Sequence, residues 1–334
     1  MKRVFLIYCF VFLFSAICME ESQAQTASTI KYNKEFVGIG PEVYILPPPK
    51  TQKEKLQDQY SEKKKDQGQL VQVINQMKLS GRLKQLTQTD SLSASENRLG
   101  TVKLLEGDVE GARKTFKALL HRFELRNDLL NQQSILQNLA LTEEQAGNYP
   151  ASLAYYQTLI SLAKKAKNIQ KEGLISLSIA TIESKLGNYS AAHNLVLKKS
   201  FPLLRKYKYY PDVVNALNTL ARIKESEDKL IEAKWIYLQA IDVATIHNDE
   251  KGLAISLYNL AELKTMIGDA ALAISDYKHA RDLAAKNKMN ALLVEIEDGL
   301  GDAYLNSGNY SEAALALNAY FILKLEYIGN PTLM

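Results

Sequence analysis

Short polar turns interrupt the apolar pattern of this chain at nearly constant intervals. Five of the turns pair glycine with Asp or Asn, and Asp228-Lys229 takes the same place once. The turns begin at Gly107, Gly147, Gly187, Asp228, Gly268 and Gly308, which gives spacings of 40, 40, 41, 40 and 40 residues. Apolar residues between the turns follow the period of an amphipathic helix, and Gly or Asn suits the left-handed conformation that ends a helix. Each unit is therefore predicted to be a helix, a tight turn and a second helix.

Residues at fixed distances from each turn predict how the two helices pack. A small residue stands seven positions before each turn and another five positions after it, and close helix crossings need small side chains at such points. A larger apolar residue nine positions after the turn is predicted to fill the space between the helices. The first set is Gly100, Ala140, Ala180, Ala221, Ala261 and Gly301; the second is Ala112, Ser152, Ala192, Ala233, Ala273 and Ala313; the third is Phe116, Tyr156, Val196, Tyr237, Tyr277 and Leu317. Trp235, just after Ala233, is also expected at a packing position.

Three of the units share Leu, Ala, Gly and Tyr positions that match a known repeat. These positions are Asn138-Leu139-Ala140, Gly147-Asn148-Tyr149 and Tyr156, then Leu260-Ala261, Gly268-Asp269, Ala273 and Tyr277, and Leu300-Gly301, Tyr304, Gly308-Asn309-Tyr310 and Ala313. Over residues 92–325 the sequence resembles tetratricopeptide repeats. It departs from the usual unit of about 34 residues and lacks the helix-ending proline, so it is similar to the long-repeat variety of kinesin light chains and bacterial peptide receptors. The resemblance implies an all-α fold, an α-solenoid with a right-handed superhelix of six repeats at residues 91–328.

The resemblance also implies a binding surface on the concave wall that the first helices of the pairs form. The residues expected in this peptide-binding groove are Gln137, Asn138, Lys185, Asn215, Asn218, Arg222, Tyr258, Asn259, Glu262, Asp298 and Asp302, with Glu144, Thr181, Glu225 and Asn306 facing the same way. An asparagine amide both donates and accepts hydrogen bonds, so a row of asparagines is predicted to read the backbone of an extended peptide. The alternative is that these amides bond only neighbouring helical turns or solvent.

Charge along the predicted groove changes sign toward its C-terminal end. Arg222 is followed by Glu262, Asp298 and Asp302. This order favours a basic peptide segment at the C-terminal end, and the alternative is that these residues are ordinary solvated charges.

The last predicted helix, residues 311–327, is apolar on every side, whereas the terminal unit of a repeat array normally has a polar outer face. We therefore expect Phe321, Ile322 and Leu325 to form an interface. The candidates that would cover it are a second copy of the chain, which makes a homodimer, a partner protein, or the tail around residues 43–46.

The N-terminus has the pattern of a secretory signal peptide at residues 1–24. Lys2 and Arg3 precede an apolar run that ends at Cys18, and Ser22-Gln23-Ala24 follows as a cleavage site. The alternatives are an uncleaved anchor, for which the run is short, and lipidation at Cys18. We expect export to a periplasm, a cell surface or the medium, with no stable membrane span after cleavage. Residues 25–50 are expected to form an extended proline-containing tail, residues 51–90 N-terminal capping helices, and residues 329–334 a C-terminal tail.

Composition, charge and the lack of a recognised catalytic motif together favour a binding function. Apolar residues make up 46% of the chain and charged residues 23%, the balance of a folded protein, and the net charge of +4 is too small to indicate a nucleic-acid partner. Both cysteines lie in the leader. The four histidines do not follow metal-ligand spacing, and no catalytic motif or cofactor loop is recognised. We therefore predict a non-enzymatic scaffold that binds a protein or an extended peptide; the alternatives are a stand-alone peptide-sensing component of a bacterial signalling system, and an enzyme.

Overall fold

The computed structural model divides the chain into two units, Met1–Pro49 and Lys50–Met334. It describes residues 50, 51, 53–59, 61, 75, 76 and 78–329, and side chains as far as residue 323. The predicted signal peptide, nearly all of the predicted proline-containing tail and residues 330–334 lie outside the described residues.

Six consecutive helix pairs form the described chain from residue 91 onward. The helices are α1 Ser91–Leu105, α2 Val109–Leu125, α3 Leu129–Gln145, α4 Tyr149–Lys165, α5 Ile169–Lys185, α6 at 189–206, α7 Tyr210–Ser226, α8 Leu230–Ile246, α9 Glu250–Met266, α10 Ala270–Lys286, α11 Asn290–Asn306 and α12 Tyr310–Gly329. Odd-numbered helices are the first helices of the pairs, and even-numbered helices are the second. This order confirms the predicted all-α solenoid of helix pairs.

The predicted packing positions are buried in every pair. All nine alanines of the two small-residue sets, and Ser152, have no exposed surface. At Gly100 a Cβ atom would lie 2.7 Å from the ring of Phe116, so the crossing of α1 and α2 leaves no room for a side chain there. The six larger residues are at most 5% exposed. Small side chains thus set the helix spacing, and the larger ones fill the interior.

Trp235 does not pack as predicted, because 64% of its surface is exposed. It lies two positions after the fully buried Ala233, and two residues turn an α-helix by about 200°. Trp235 therefore points away from the interface that Ala233 enters.

Each turn within a pair places one residue in the left-handed region. The five glycines have φ angles between 71° and 90°, and Asp228 has a φ of 60°. The backbone then closes the helix end, as where the Lys229 N–H donates to the Lys224 carbonyl at 2.8 Å. Asp228 therefore adopts the left-handed conformation that glycine adopts at the other five turns, at the steric cost that a Cβ atom adds in this region.

Replacing Asp228 by glycine is expected to raise the free energy of unfolding by about 1 kcal/mol, because the strain of a left-handed residue with a Cβ atom is removed. Chemical denaturation measures this change. The matched control is Gly187→Asp, which introduces the same strain at the preceding turn and should lower stability by a similar amount. Changes of the same sign in both variants would contradict this explanation.

The one 41-residue interval corresponds to a π-helical turn inside α6. This helix consists of Tyr189–Leu195, the π turn Val196–Ser200 and Phe201–Lys206. The Phe201 N–H donates to the Val196 carbonyl, five residues back, instead of to the usual fourth residue. One inserted residue is thus absorbed within a helix, so the turns on either side keep their geometry.

The described residues before α1 lie against the array. Residues 53–59 are helical, and Leu56 belongs to the apolar cluster that contains Tyr258 and Leu292. Residues 78–82 are also helical, whereas residues 83–90 form no helix, although capping helices were predicted as far as residue 90. Leu79 and Leu83 are buried in the cluster formed by α1, α2 and α3. We call residues 79–90 the inner segment.

Candidate functional site

The first helices form the layer that bears the predicted groove. Contacts between neighbouring repeats join α5 to α7, α7 to α9 and α9 to α11. Asn215, Arg222 and Glu262 are exposed on this layer, as are Thr181 and Lys185. In contrast, Asn138, Asn218, Tyr258 and Asn259 are at most 8% exposed, so these four predicted groove residues lie beneath its surface.

Asn138 binds the backbone of the inner segment. Its Oδ1 accepts the N–H of Lys84 at 2.7 Å, and its Nδ2 donates to the carbonyl of the same residue at 3.0 Å. Asn97, on α1, adds a second donor to that carbonyl at 3.1 Å. Nδ2 of Asn138 also donates to Oδ1 of Asn97 at 3.1 Å. The two asparagine side chains together therefore hold the backbone N–H and carbonyl of one residue, Lys84, without using its side chain.

Asn131 repeats this arrangement one step along the segment. Its Oδ1 accepts the N–H of Thr87 and its Nδ2 donates to the carbonyl of Thr87, both at 3.0 Å. We call Asn97, Asn131 and Asn138 the first amide cluster. As α3 runs from Asn131 to Asn138, the inner segment runs from Thr87 back to Lys84, so the two are antiparallel.

The spacing of the two contacts follows from backbone geometry. Seven residues of an α-helix rise about 10.5 Å, from Asn131 to Asn138. Three residues of extended chain span about 10 Å, from Lys84 to Thr87. Asparagines two helical turns apart are therefore in register with every third residue of an extended polypeptide.

A basic side chain of the inner segment adds a charged contact. Arg82 Nη2 donates to both carboxylate oxygens of Glu144, at 2.9 and 3.1 Å, and the Tyr156 hydroxyl donates to Glu144 at 2.8 Å. Burial, together with the charge of Glu144, raises the pKa of Tyr156, so its hydroxyl keeps its proton. Gln137 Nε2 reaches the Arg82 carbonyl at 3.4 Å, and Lys185 lies 4.0 Å from Glu144.

A second pair of asparagines lies in the fourth and fifth repeats. Asn218 Nδ2 donates to the Ser256 hydroxyl at 2.9 Å. Oδ1 of Asn218 and Nδ2 of Asn259 are both buried and have no hydrogen-bond partner in the described part of the chain. We call Asn218 and Asn259 the second amide pair.

Two carboxylates lie on the same helices as the second amide pair, Glu225 on α7 and Glu262 on α9. Burial raises the pKa of Glu225, while a hydrogen bond from Tyr237 opposes the shift and the charge of Glu262 adds to it. Glu262 itself is exposed to solvent within the groove. Desolvation by the surrounding protein raises its pKa against a hydrogen bond from Tyr258. Protons are therefore held more tightly at both carboxyl groups than in water, while the charge of Arg222, and at Glu262 also that of Lys78, opposes the shift.

One lysine of the N-terminal region contacts the acidic C-terminal end of the groove. Lys78 forms an ion pair with Glu295 on α11. The predicted groove residues Asp298 and Asp302 lie on the same helix and are half-buried.

Sequence reasoning missed Asn97, Asn131 and Arg82. The pair of Asn97 with Asn138 carried a usable signal, because it has the same 41-residue separation as Asn218 and Asn259. No periodic signal marked Arg82, which precedes the repeats.

Other parts of the described chain offer less for binding. A cavity of about 510 Å³ lies between the C-terminal ends of α6 and α8, lined by Arg205, Lys208 and His247 among others. Among the described residues, no three His, Cys, Asp or Glu side chains are grouped as a metal would require, and no helix is long and apolar enough to cross a membrane.

The structure describes the side chains of two of the three residues predicted to form an interface on α12. Ile322 is 50% exposed, and Phe321 is half-buried, with its ring centroid 5.4 Å from that of Tyr320 in an edge-to-face arrangement. The side chain of Leu325 lies outside the described residues. A homodimer through this helix stays a prediction.

Comparison with known proteins rests on structure. No family model and no curated protein matches the chain. BtubC (BKLC) from P. vanneervenii is similar, with a TM-score of 0.51 and 16% identity over 67% of this chain and 91% of that one. A signal transduction ATPase from Pyrococcus horikoshii with a tetratricopeptide repeat sensor gives 0.51 and 15%, over 68% of this chain and 35% of that one. The chain has a tetratricopeptide-like fold.

A Rap protein, solved in complex with Competence and Sporulation Factor, has the same tetratricopeptide-like arrangement. Its TM-score is 0.51 at 14% identity, over 73% of this chain and 78% of that chain. At this level of identity the likeness concerns the fold.

Proposed function

We propose that this tetratricopeptide-like chain is an exported, non-enzymatic scaffold that binds an extended segment of a partner protein along the layer of first helices. One observation carries the proposal: the first amide cluster holds the N–H and carbonyl groups of Lys84 and Thr87 in a non-helical stretch of chain. A surface that binds backbone groups is suited to polypeptide ligands in general. The Rap protein, solved with Competence and Sporulation Factor, supports this use of the fold.

Export is part of the proposal and is supported by the pattern of residues 1–24. N-terminal sequencing of the protein from its native host should find a mature chain that begins at Gln25. A chain that retains Met1 would contradict cleavage.

Site-specific photo-crosslinking tests where the partner binds. A photoreactive amino acid at the exposed Asn215, on a first helix, is expected to crosslink a polypeptide from the exported fraction. The matched control is the same group at Trp235, which is exposed on a second helix. Crosslinks of equal yield at both positions, or at Trp235 alone, would contradict binding along the first helices.

A further inference from the structure

We infer that the cavity between α6 and α8 is a binding site for a small carboxylate with an apolar body, of the kind of a medium-chain carboxylic acid, and that Arg205 binds the carboxylate. The cavity shares no residue with the predicted groove. The inference therefore goes beyond the proposed function and does not depend on it.

The cavity has an apolar interior of a suitable size. Val213 and Leu217, on α7, are its most buried lining residues, and Phe201 on α6 and Val243 on α8 are half-buried beside them. Its volume of about 510 Å³ lies within the range of small-molecule sites, about 300 to 1,000 Å³. The interior can therefore cover the apolar part of a small ligand.

Three cationic side chains at the cavity have no carboxylate partner. Arg205, Lys206 and Lys208 are exposed, and none of them forms an ion pair with another residue of the described chain. Asp242 is the one carboxylate among the described lining residues. Three cations against one carboxylate give the cavity a positive charge, which attracts an anion.

Two helix C-termini border the cavity, and their backbone carbonyl groups are already bonded. The Tyr209 N–H donates to the Leu204 carbonyl at 3.0 Å where α6 ends, and the Asp249 N–H donates to the Ala244 carbonyl at 2.9 Å where α8 ends. These bonds reduce the partial negative charge of the helix ends, so the full charges of the three cations determine the sign of the site.

The preceding repeat has a carboxylate where this cavity has none. There, Lys164 on α4 forms an ion pair with Glu172 on α5 at 3.7 Å. Arg205 and Val213 stand 41 residues later, at the same two positions. Arg205 therefore faces an apolar side chain at the place where Lys164 has its carboxylate.

The following repeat shows the same exchange at a second position. There, Glu250 binds Lys286 and Asn287. Tyr210 and His247 stand 40 residues earlier, at the positions of Glu250 and Asn287, and their rings stack with centroids 3.4 Å apart. Two carboxylate positions thus carry apolar or aromatic side chains at this cavity, and a carboxylate with an apolar body would supply the missing charge while it contacts them.

The test is a titration of the full chain with octanoate, followed by saturation-transfer NMR, with 1-octanol and acetate at the same ionic strength as comparisons. Octanoate is expected to bind with a dissociation constant below about 1 mM. Acetate, which lacks the apolar body, should bind at least about tenfold more weakly. For 1-octanol, which lacks the charge, binding should be at least about fivefold weaker.

Arg205→Gln is expected to weaken octanoate binding at least about fivefold and to leave 1-octanol binding unchanged, because only the anion loses a charged partner. The matched control is Lys164→Gln, which removes a cation at the same repeat position beside Glu172 and should leave octanoate binding unchanged. Tyr210→Glu places a carboxylate where the next repeat has Glu250, and should also weaken octanoate binding at least about fivefold.

Three results would overturn the inference. They are the absence of saturable octanoate binding, equal binding of octanoate and 1-octanol, and equal weakening of octanoate binding by Arg205→Gln and Lys164→Gln. Circular dichroism checks that each variant is folded, and if Tyr210→Glu is not, Arg205→Gln and its control still decide. Weakening that is specific to the anion and to Arg205→Gln supports the site, whatever crosslinking at Asn215 shows for the groove.

Discussion

Replacing Asn138 by alanine is expected to lower the free energy of unfolding by about 3 kcal/mol and to release the inner segment from α3. The change removes both hydrogen bonds to Lys84 and the bond to Asn97, all between 2.7 and 3.1 Å. The Oδ1 atom of Asn97 and the N–H of Lys84 then lose their partners, and each such loss in a buried place costs about 1 to 3 kcal/mol. Chemical denaturation gives the change in stability, and hydrogen exchange at the Lys84 and Thr87 amides reports release of the segment.

Asn259→Ala is the matched control, because it makes the same chemical change at the same position of another first helix. Its Nδ2 is buried and has no partner in the described chain, so stability should stay unchanged or rise. Equal losses in the two variants would mean that asparagine at this position supports its own helix. The contact with Lys84 would then contribute little.

The small residues at the helix crossings were predictable because they repeat, whereas Trp235, which belongs to no such series, was not. A helix crossing that is close in one pair is close in all six, so each small residue recurs at the same distance from its turn. Ala140 and Ala221 are examples, and neither has any exposed surface. Even the substitute turn at Asp228 was found by its place in the series, and its left-handed φ of 60° bears this out.

The contacts of the inner segment with α3 could not be predicted from the repeat pattern, because the segment belongs to no repeat. Lys84 meets Asn138 across 54 residues of chain, and Arg82 meets Glu144 across 62. Hydrophobic periodicity predicts an element and its buried face, but not which irregular segment lies against it. The asparagine side chains were assigned to the groove, yet Asn138 is fully buried because the segment covers it.

The π turn of α6 leads to a second large prediction: removing Lys198 should leave the protein folded, with a change in stability of about 1 kcal/mol or less. In α8 the buried positions Tyr237, Ala240 and Ala244 are three and four residues apart, which is one face of an α-helix. In α6 the buried positions Val196, Ser200 and Leu204 are four and four apart. Deleting the exposed Lys198 restores the three-and-four spacing, so an ordinary α-helix buries the same side chains.

Deleting Gln239 from α8 is the matched control, because Gln239 is exposed and stands at the same position of its helix as Lys198. Here no extra residue exists, so Ile241 and Thr245 move into the spaces of Ala240 and Ala244. Both spaces are fully buried and fit only a methyl group, and overpacking them is expected to cost about 3 kcal/mol or more. Circular dichroism during thermal unfolding measures both deletions. If removing Lys198 destabilises the protein as much as removing Gln239, the π turn contributes to stability itself and is more than an absorbed insertion.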